Sequence, residues 1–122
     1  MTAGLAASTA NTWLDTLDSG HYMQAHTGDP GAAGTSNASA ETTRKLIDFA
    51  DAAGGSKAAQ GTLPSWTTWT AGPETISHMS VWSAVTGGTF KYSFALTTAK
   101  SITNNDDLNL TSHSVSITPI AA

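Results

Sequence analysis

After residue 20, hydrophobic and polar residues alternate with a period of two through most of the chain, the spacing of strands with one buried face. The run TFKYSFALT is the clearest case: Phe90, Tyr92, Phe94 and Leu96 face one way, Lys91, Ser93 and Ala95 the other. ISHMSVWSA sets Met79 and Val81 against Ile76, His78 and Trp82, and VTGGTF joins the two runs through Gly87-Gly88, a hairpin signal of the primed-turn type. HSVSITPI alternates Val115 and Ile117 with Ser114, Ser116 and Thr118 until Pro119 stops it. With turn clusters about every 8–15 residues, the pattern predicts strands at 21–26, 43–50, 57–61, 63–69, 75–83, 89–97, 100–103, 107–111 and 113–118.

The N-terminus follows a different period. Leu5, Ala6, Ala10, Trp13, Leu14 and Leu17 recur at helical intervals, which predicts an amphipathic helix from Ala3 to Leu17 with Thr2 as N-cap and Gly20 as stop. Its stripe of Trp13, Leu14 and Leu17 needs a surface to bury against, in this chain or in another. A length of 122 residues suits one core. The expected fold is a mainly β, antiparallel β-sandwich of jelly-roll type, a single domain over 1–122 with the helix in 1–19 and the sandwich in 20–122.

Between them lies HYMQAHTGDPGAAGTSNAS, residues 21–39, a strand opening into a long loop of small and turn residues. Gly28, Gly31 and Gly34 miss the spacing of a phosphate loop, no lysine follows them, Pro30 has no N–H to donate and Asp29 would repel an anion. An Asp-Pro-Gly turn explains the segment better, with Asp29 capping its own backbone and Gly31 at positive φ.

Composition narrows the partners. Only 11% of residues are charged, against roughly a quarter in an average globular protein, and Thr, Ser, Ala and Gly fill the gap. Such a surface suits packing against neighbours. The net charge is −4 and the basic residues are scattered, with only Arg44 and Lys45 adjacent, so no nucleic-acid partner is expected. There is no cysteine to build disulfides or thiolate metal sites. The opening MTAGLAASTANTWL lacks a basic region before an apolar run, and no stretch approaches about 18 apolar residues. Neither a secretion signal nor a membrane span is expected.

Candidate chemistry is sparse. His21 and His26 lie on opposite faces of a regular strand, His26 with Asp29 is the best local acid–base pair, and His78 reads as a core or interface residue. Asp106-Asp107 after Asn104-Asn105 resembles a calcium loop, yet also an ordinary Asx turn. No nucleophile elbow occurs, and no enzyme activity, cofactor or metal is expected. Trp66 and Trp69 in SWTTW, with Tyr22, raise a second class, a carbohydrate-binding adhesion module that stacks aromatic rings on sugars. Three positions apart on a strand, the two tryptophans face opposite ways.

Three segments in order carry a resemblance: AHTGDPGAAG at 25–34, TTRKLIDFADA at 42–52 and HMSVWSAVTGGTF at 78–90. They resemble a family of small virion structural proteins of tailed bacteriophages, especially of actinobacterial hosts, with HTGDPG and WSAxTGGTF motifs and described variously as capsid decoration, minor tail or tail-fibre proteins. Ala25 stands where the family usually has Leu. The resemblance implies a non-enzymatic structural role in the virion. The lack of a coiled coil or shaft favours a decoration or minor capsid protein that reinforces the head; a minor tail or tail-fibre protein, with a host glycan as ligand, is the alternative. Expected partners are the major capsid protein or tail proteins of the same virion and further copies of the chain, a trimer favoured. Trp13, Leu14, Leu17, His26, Asp29, Pro30, Trp66 and Trp69 are the candidate interface residues.

Overall fold

The computed structural model describes residues 3–17, 21–117 and 121. The chain is mainly β with antiparallel strand pairs, as the alternation predicts, and the described residues include one short N-terminal helix. The described residues form two compact units, one from 3–17, 47–63, 110–117 and 121, the other from 21–46 and 64–109. Thr2, Gly20 and Pro119, expected to bound the helix and the last strand, lie outside the described residues.

The first unit carries the helix. α1 runs Ala7–Leu14, shorter than the 3–17 that periodicity suggests. Its start is set back because Leu5 is tied in an extended conformation, accepting the N–H of Ala121 at 2.9 Å. Ala10 and Leu14, four apart, are buried, while Trp13 is 56% exposed and Leu17 half-buried. The expected apolar stripe therefore splits: the helix packs through Ala10 and Leu14 and leaves Trp13 to solvent. In this unit β3 (Ser56–Gln60) lies between β2 (Lys45–Phe49) and β8 (Ser114–Ser116).

Two polar side chains one helical turn apart hold α1 on this unit. Asn11 Oδ1 accepts Gly55 N–H and Asp15 Oδ1 accepts Ala52 N–H, both at 2.9 Å. The Lys57 ammonium, on a side chain only 1% exposed, reaches the same Asp15 oxygen at 2.7 Å. That hydrogen bond, then the one from Ala52, holds the Asp15 carboxyl below the usual carboxylate range. A buried ammonium needs this partner, since removing one member of such a pair strands the other.

β1 (His21–His26), β5 (Glu74–Trp82) and β6 (Phe90–Ile102) build the second unit, with β5 between the other two. β4 (Ser65–Trp66) and β7 (Leu108–Asn109) pair separately. Met23, Ala25, Met79 and Val81 form one buried face of the three strands, joined by Tyr92 and Phe94 of β6. The other face carries Gln24, His26, His78, Ser80 and Trp82.

Phe90 does not follow Tyr92 and Phe94, as strict alternation requires. Tyr92 pairs with Val81 but Phe90 with Trp82, so Lys91 is an extra residue that turns Phe90 to the Trp82 side, with ring centroids 5.4 Å apart. A second irregularity sets Ser77 against residues 96–99, and the two strands expected at 89–97 and 100–103 are one. Nor is the β5–β6 turn a two-residue hairpin. Gly87 and Gly88 both have positive φ, but the loop spans 83–89 and is closed by Ser83 N–H on Thr89 O at 3.0 Å.

Acid should weaken the first unit in two stages. Burial pushes the imidazole of His113, beside Phe49, down to about 4. A folded-state value below the unfolded one, about 6.5, gives stability that is complete above that pH and is lost as pH falls toward the folded value. The Asp15 contribution is present above about pH 4 and is lost as pH drops through its depressed value. His113→Gln should flatten the first fall of the melting temperature and Asp15→Asn the second, as measured by thermal melts across pH; a melting temperature independent of pH below 6 in the native protein would contradict both.

Candidate functional site

The segments 25–34 and 78–90, with residues 42–46 of the segment between them, lie in the second unit. β1 delivers His26 to the start of the long loop, where it is fully buried, with Nδ1 2.9 Å from Ser36 O and Nε2 2.7 Å from Ser80 Oγ. Ser80 Oγ also accepts the indole N–H of Trp82 at 2.8 Å. Burial above all lowers the His26 pKa, which favours the neutral imidazole. A serine and a histidine at this distance form the pair that nucleophilic catalysis uses. Here both are 0% exposed, and the histidine's other nitrogen faces a backbone carbonyl instead of a carboxylate.

The loop is a self-bonded cover. Asp29 Oδ1 accepts Gly31 N–H at 2.9 Å and Gly31 has φ +77, the Asp-Pro-Gly turn read from the sequence. Asn37 bonds back to Asp29 O through its side chain and to Thr27 N–H through its carbonyl. Pro30 is buried, and Gly34, at φ +74, lies so close over the Phe90 ring that any Cβ would fall inside contact distance. His26 stands opposite His78, whereas Phe90 stands beside Trp82. The loop thus runs back along the sheet from its own strand end. Its far end is fastened by Ser39, which donates its hydroxyl to Glu74 and its N–H to Ala25 O.

Arg44 joins the other two motifs. Its Nε donates to Gln24 Oε1 at 3.0 Å, its Nη1 to Ala84 O at 2.9 Å and Gly87 O at 2.7 Å, and its guanidinium lies 4.2 Å over the Trp82 ring. One side chain therefore fixes a strand, the 83–89 loop and an aromatic face together. Neither Arg44 nor Ser80 is marked out by sequence reasoning as a site residue; the only signal is that each sits in a motif.

The expected interface residues are dispersed. Trp13 is exposed on α1 and Asp29 at the loop turn, Leu17 is half-buried, and Leu14, His26 and Pro30 are buried. Trp66 and Trp69, expected to face opposite ways, are both core, at 2% and 1% exposure, and Trp66 donates its indole N–H to Thr43 O. Neither ring face is open to a sugar, and Tyr22 is half-buried. In the Asn104–Asp107 segment three side chains accept from the protein: Asn104 from Gly72 N–H, Asp106 from the Thr103 N–H and hydroxyl, and Asp107 from Thr68 N–H. The Thr103 bonds hold the Asp106 carboxyl below its ordinary value. Among the described residues no helix is long and apolar enough to cross a membrane.

The fold defines a small, mainly β protein in which His26 and Arg44 fasten loops onto a sheet. The family model described as podophage GP4 fiber I protein gp80 matches residues 6–118, and the chain belongs to that family. It is a bacteriophage structural protein, and its place is the virion. No curated protein matches the chain.

The clamp sets a steric limit at Gly34. Gly34→Ala adds a left-handed backbone penalty and a clash with Phe90, together about 2–4 kcal/mol. Phe90→Ala in the same chain should recover the clash part alone. Denaturant unfolding of both singles and the double variant measures this coupling, and additive losses would refute the contact.

Proposed function

We propose that the protein is a non-enzymatic component of the tail-fibre apparatus, attached to other virion proteins by apolar contact through α1. The observation that carries this reading is the family match, whose description is that of a fibre protein, over nearly the whole chain. It favours the tail over the capsid decoration role suggested by the lack of a coiled coil. A fibre component made mainly of strands associates through β surfaces and needs no coiled coil of its own. Labelling of particles with antibody to this chain, or cryo-EM of whole virions, should place it at the tail; density spread over the head lattice would overturn the assignment.

Trp13 is the proposed anchor. Tryptophan is the residue type most enriched where protein interfaces concentrate their binding energy, and this one stands exposed on a helix fixed by Asn11 and Asp15. Leu14, one position on, faces the unit's own core. The two residues therefore separate docking from folding. Trp13→Ala should leave unfolding within about 0.5 kcal/mol of the native chain while the protein is lost from particles. Leu14→Ala should cost about 2–5 kcal/mol of stability. With so few charges the attachment should survive high salt; stripping of the protein by salt alone, or full occupancy of Trp13→Ala in particles, would refute the apolar anchor.

Self-association belongs to the same reading. Low charge together with Leu46 and Val85, each about half exposed, supports packing between copies, and a closed homo-trimer is the proposed state. Sedimentation velocity should show a species heavier than the monomer, and a monomer at all concentrations would exclude it.

A further inference from the structure

The cover over the sheet is held by a group whose protonation the surrounding bonds dictate. Ser36 O can only accept, so His26 Nδ1 carries a hydrogen. Ser80 Oγ already accepts the Trp82 indole N–H, and its own hydrogen is left to donate to His26 Nε2. A neutral imidazole protonated at Nδ1 therefore satisfies each group from Trp82 to the loop carbonyl. A second proton on Nε2 points a donor at a hydroxyl whose hydrogen points back. Turning that hydroxyl away strips it of this acceptor in a site closed to water.

Charge acts in the same direction. On β5, His78 stands opposite His26, and from the segment after the loop Arg44 reaches the same sheet face through Gln24 and Trp82. The loop's own carboxylate, Asp29, is occupied by Gly31 N–H; Glu74, at the start of β5, is occupied by Ser39 and Ala40 N–H. Burial is the largest effect and opposes protonation, outweighing the Ser36 and Asn37 carbonyls, which favour it. An imidazolium formed here reaches water only by displacing what lies above it. That element is lightly attached: most of its described bonds are internal, and besides His26 its described ties to the strands run through Ser39, Ala40 and the Gly34 contact. Beneath it, β1 and β5 are joined by an unbroken ladder, and β5 and β6 by a longer one with two irregularities.

We propose that His26 is an acid-operated latch: protonation at Nε2 releases residues 27–40 from the sheet and uncovers the Trp82–Phe90 pair while the strands stay joined. This conformational device does not depend on where in the virion the protein resides. Amide exchange of the full chain from about pH 8 to about 4.5, corrected for intrinsic chemistry, tests it alongside an NMR titration of the His26 ring. Protection at Thr27, Ser36 and Ser39 should fall by about tenfold or more, with the midpoint of the His26 titration, while β5 amides hold. His26→Gln, neutral throughout, should make loop protection independent of pH. If that variant does not fold, His78→Gln serves: the loop transition should persist, its midpoint raised by less than about one unit through loss of a like-charged neighbour. Loop protection unchanged while His26 titrates, a transition surviving in His26→Gln, or β5 opening together with the loop would each overturn the latch.

Discussion

A buried imidazole with both nitrogens occupied organises the second unit. In water a histidine costs little to accommodate; beneath a loop it must find a donor and an acceptor at fixed positions, or leave polar atoms unpaired at a cost of about 1–3 kcal/mol each. The bond to Ser36 O fixes where the loop returns, and the bond to Ser80 Oγ fixes which face of β5 lies beneath it. Trp82 is oriented by the same hydroxyl, and its ring then offers Arg44 a platform. The conspicuous motifs are thus parts of one chain of contacts, and their spacing in sequence reflects the path of the loop between them.

Scarcity of charge explains why the arrangement is built this way. With 11% charged residues, the chain relies on neutral side chains and backbone groups to tie its loops. Among the described residues a single ion pair occurs, between Lys57 and Asp15, and there a carboxylate also receives a backbone N–H. Among the described residues Arg44 makes no ion pair; its donors go to an amide oxygen and two carbonyls. Each charge is placed where one side chain reaches several partners, which gives much positional control from few residues.

The strands were legible because period-two alternation reports burial directly, and β1, β3 and β5 fall within a residue or so of the expected spans. What alternation does not carry is an irregularity of register. Lys91 looks like any outward residue, yet as a bulge it reverses the side of Phe90. The helix was overread because Leu5 fits the helical spacing, while its backbone is claimed by Ala121, far away in sequence. The loop turn at Asp29 was readable from local chemistry alone. Trp66 and Trp69 were ambiguous because aromatic residues suit core and ligand site equally, and only three-dimensional packing decides. Arg44 and Ser80 act through partners distant in sequence, which no local pattern encodes.

The two irregularities of β6 have a bearing on how the chain avoids unwanted pairing. β6 ends the strand order, so its outer backbone groups face outward along a strand from Phe90 to Ile102. An unbroken edge of that length invites a neighbouring chain to add its own strand and seed aggregates. The Lys91 bulge and the offset at residues 96–99 divide it into short stretches, and Lys91 and Lys100 place a positive charge near each break. Copies of the chain that meet in solution therefore present edges that resist indiscriminate strand pairing.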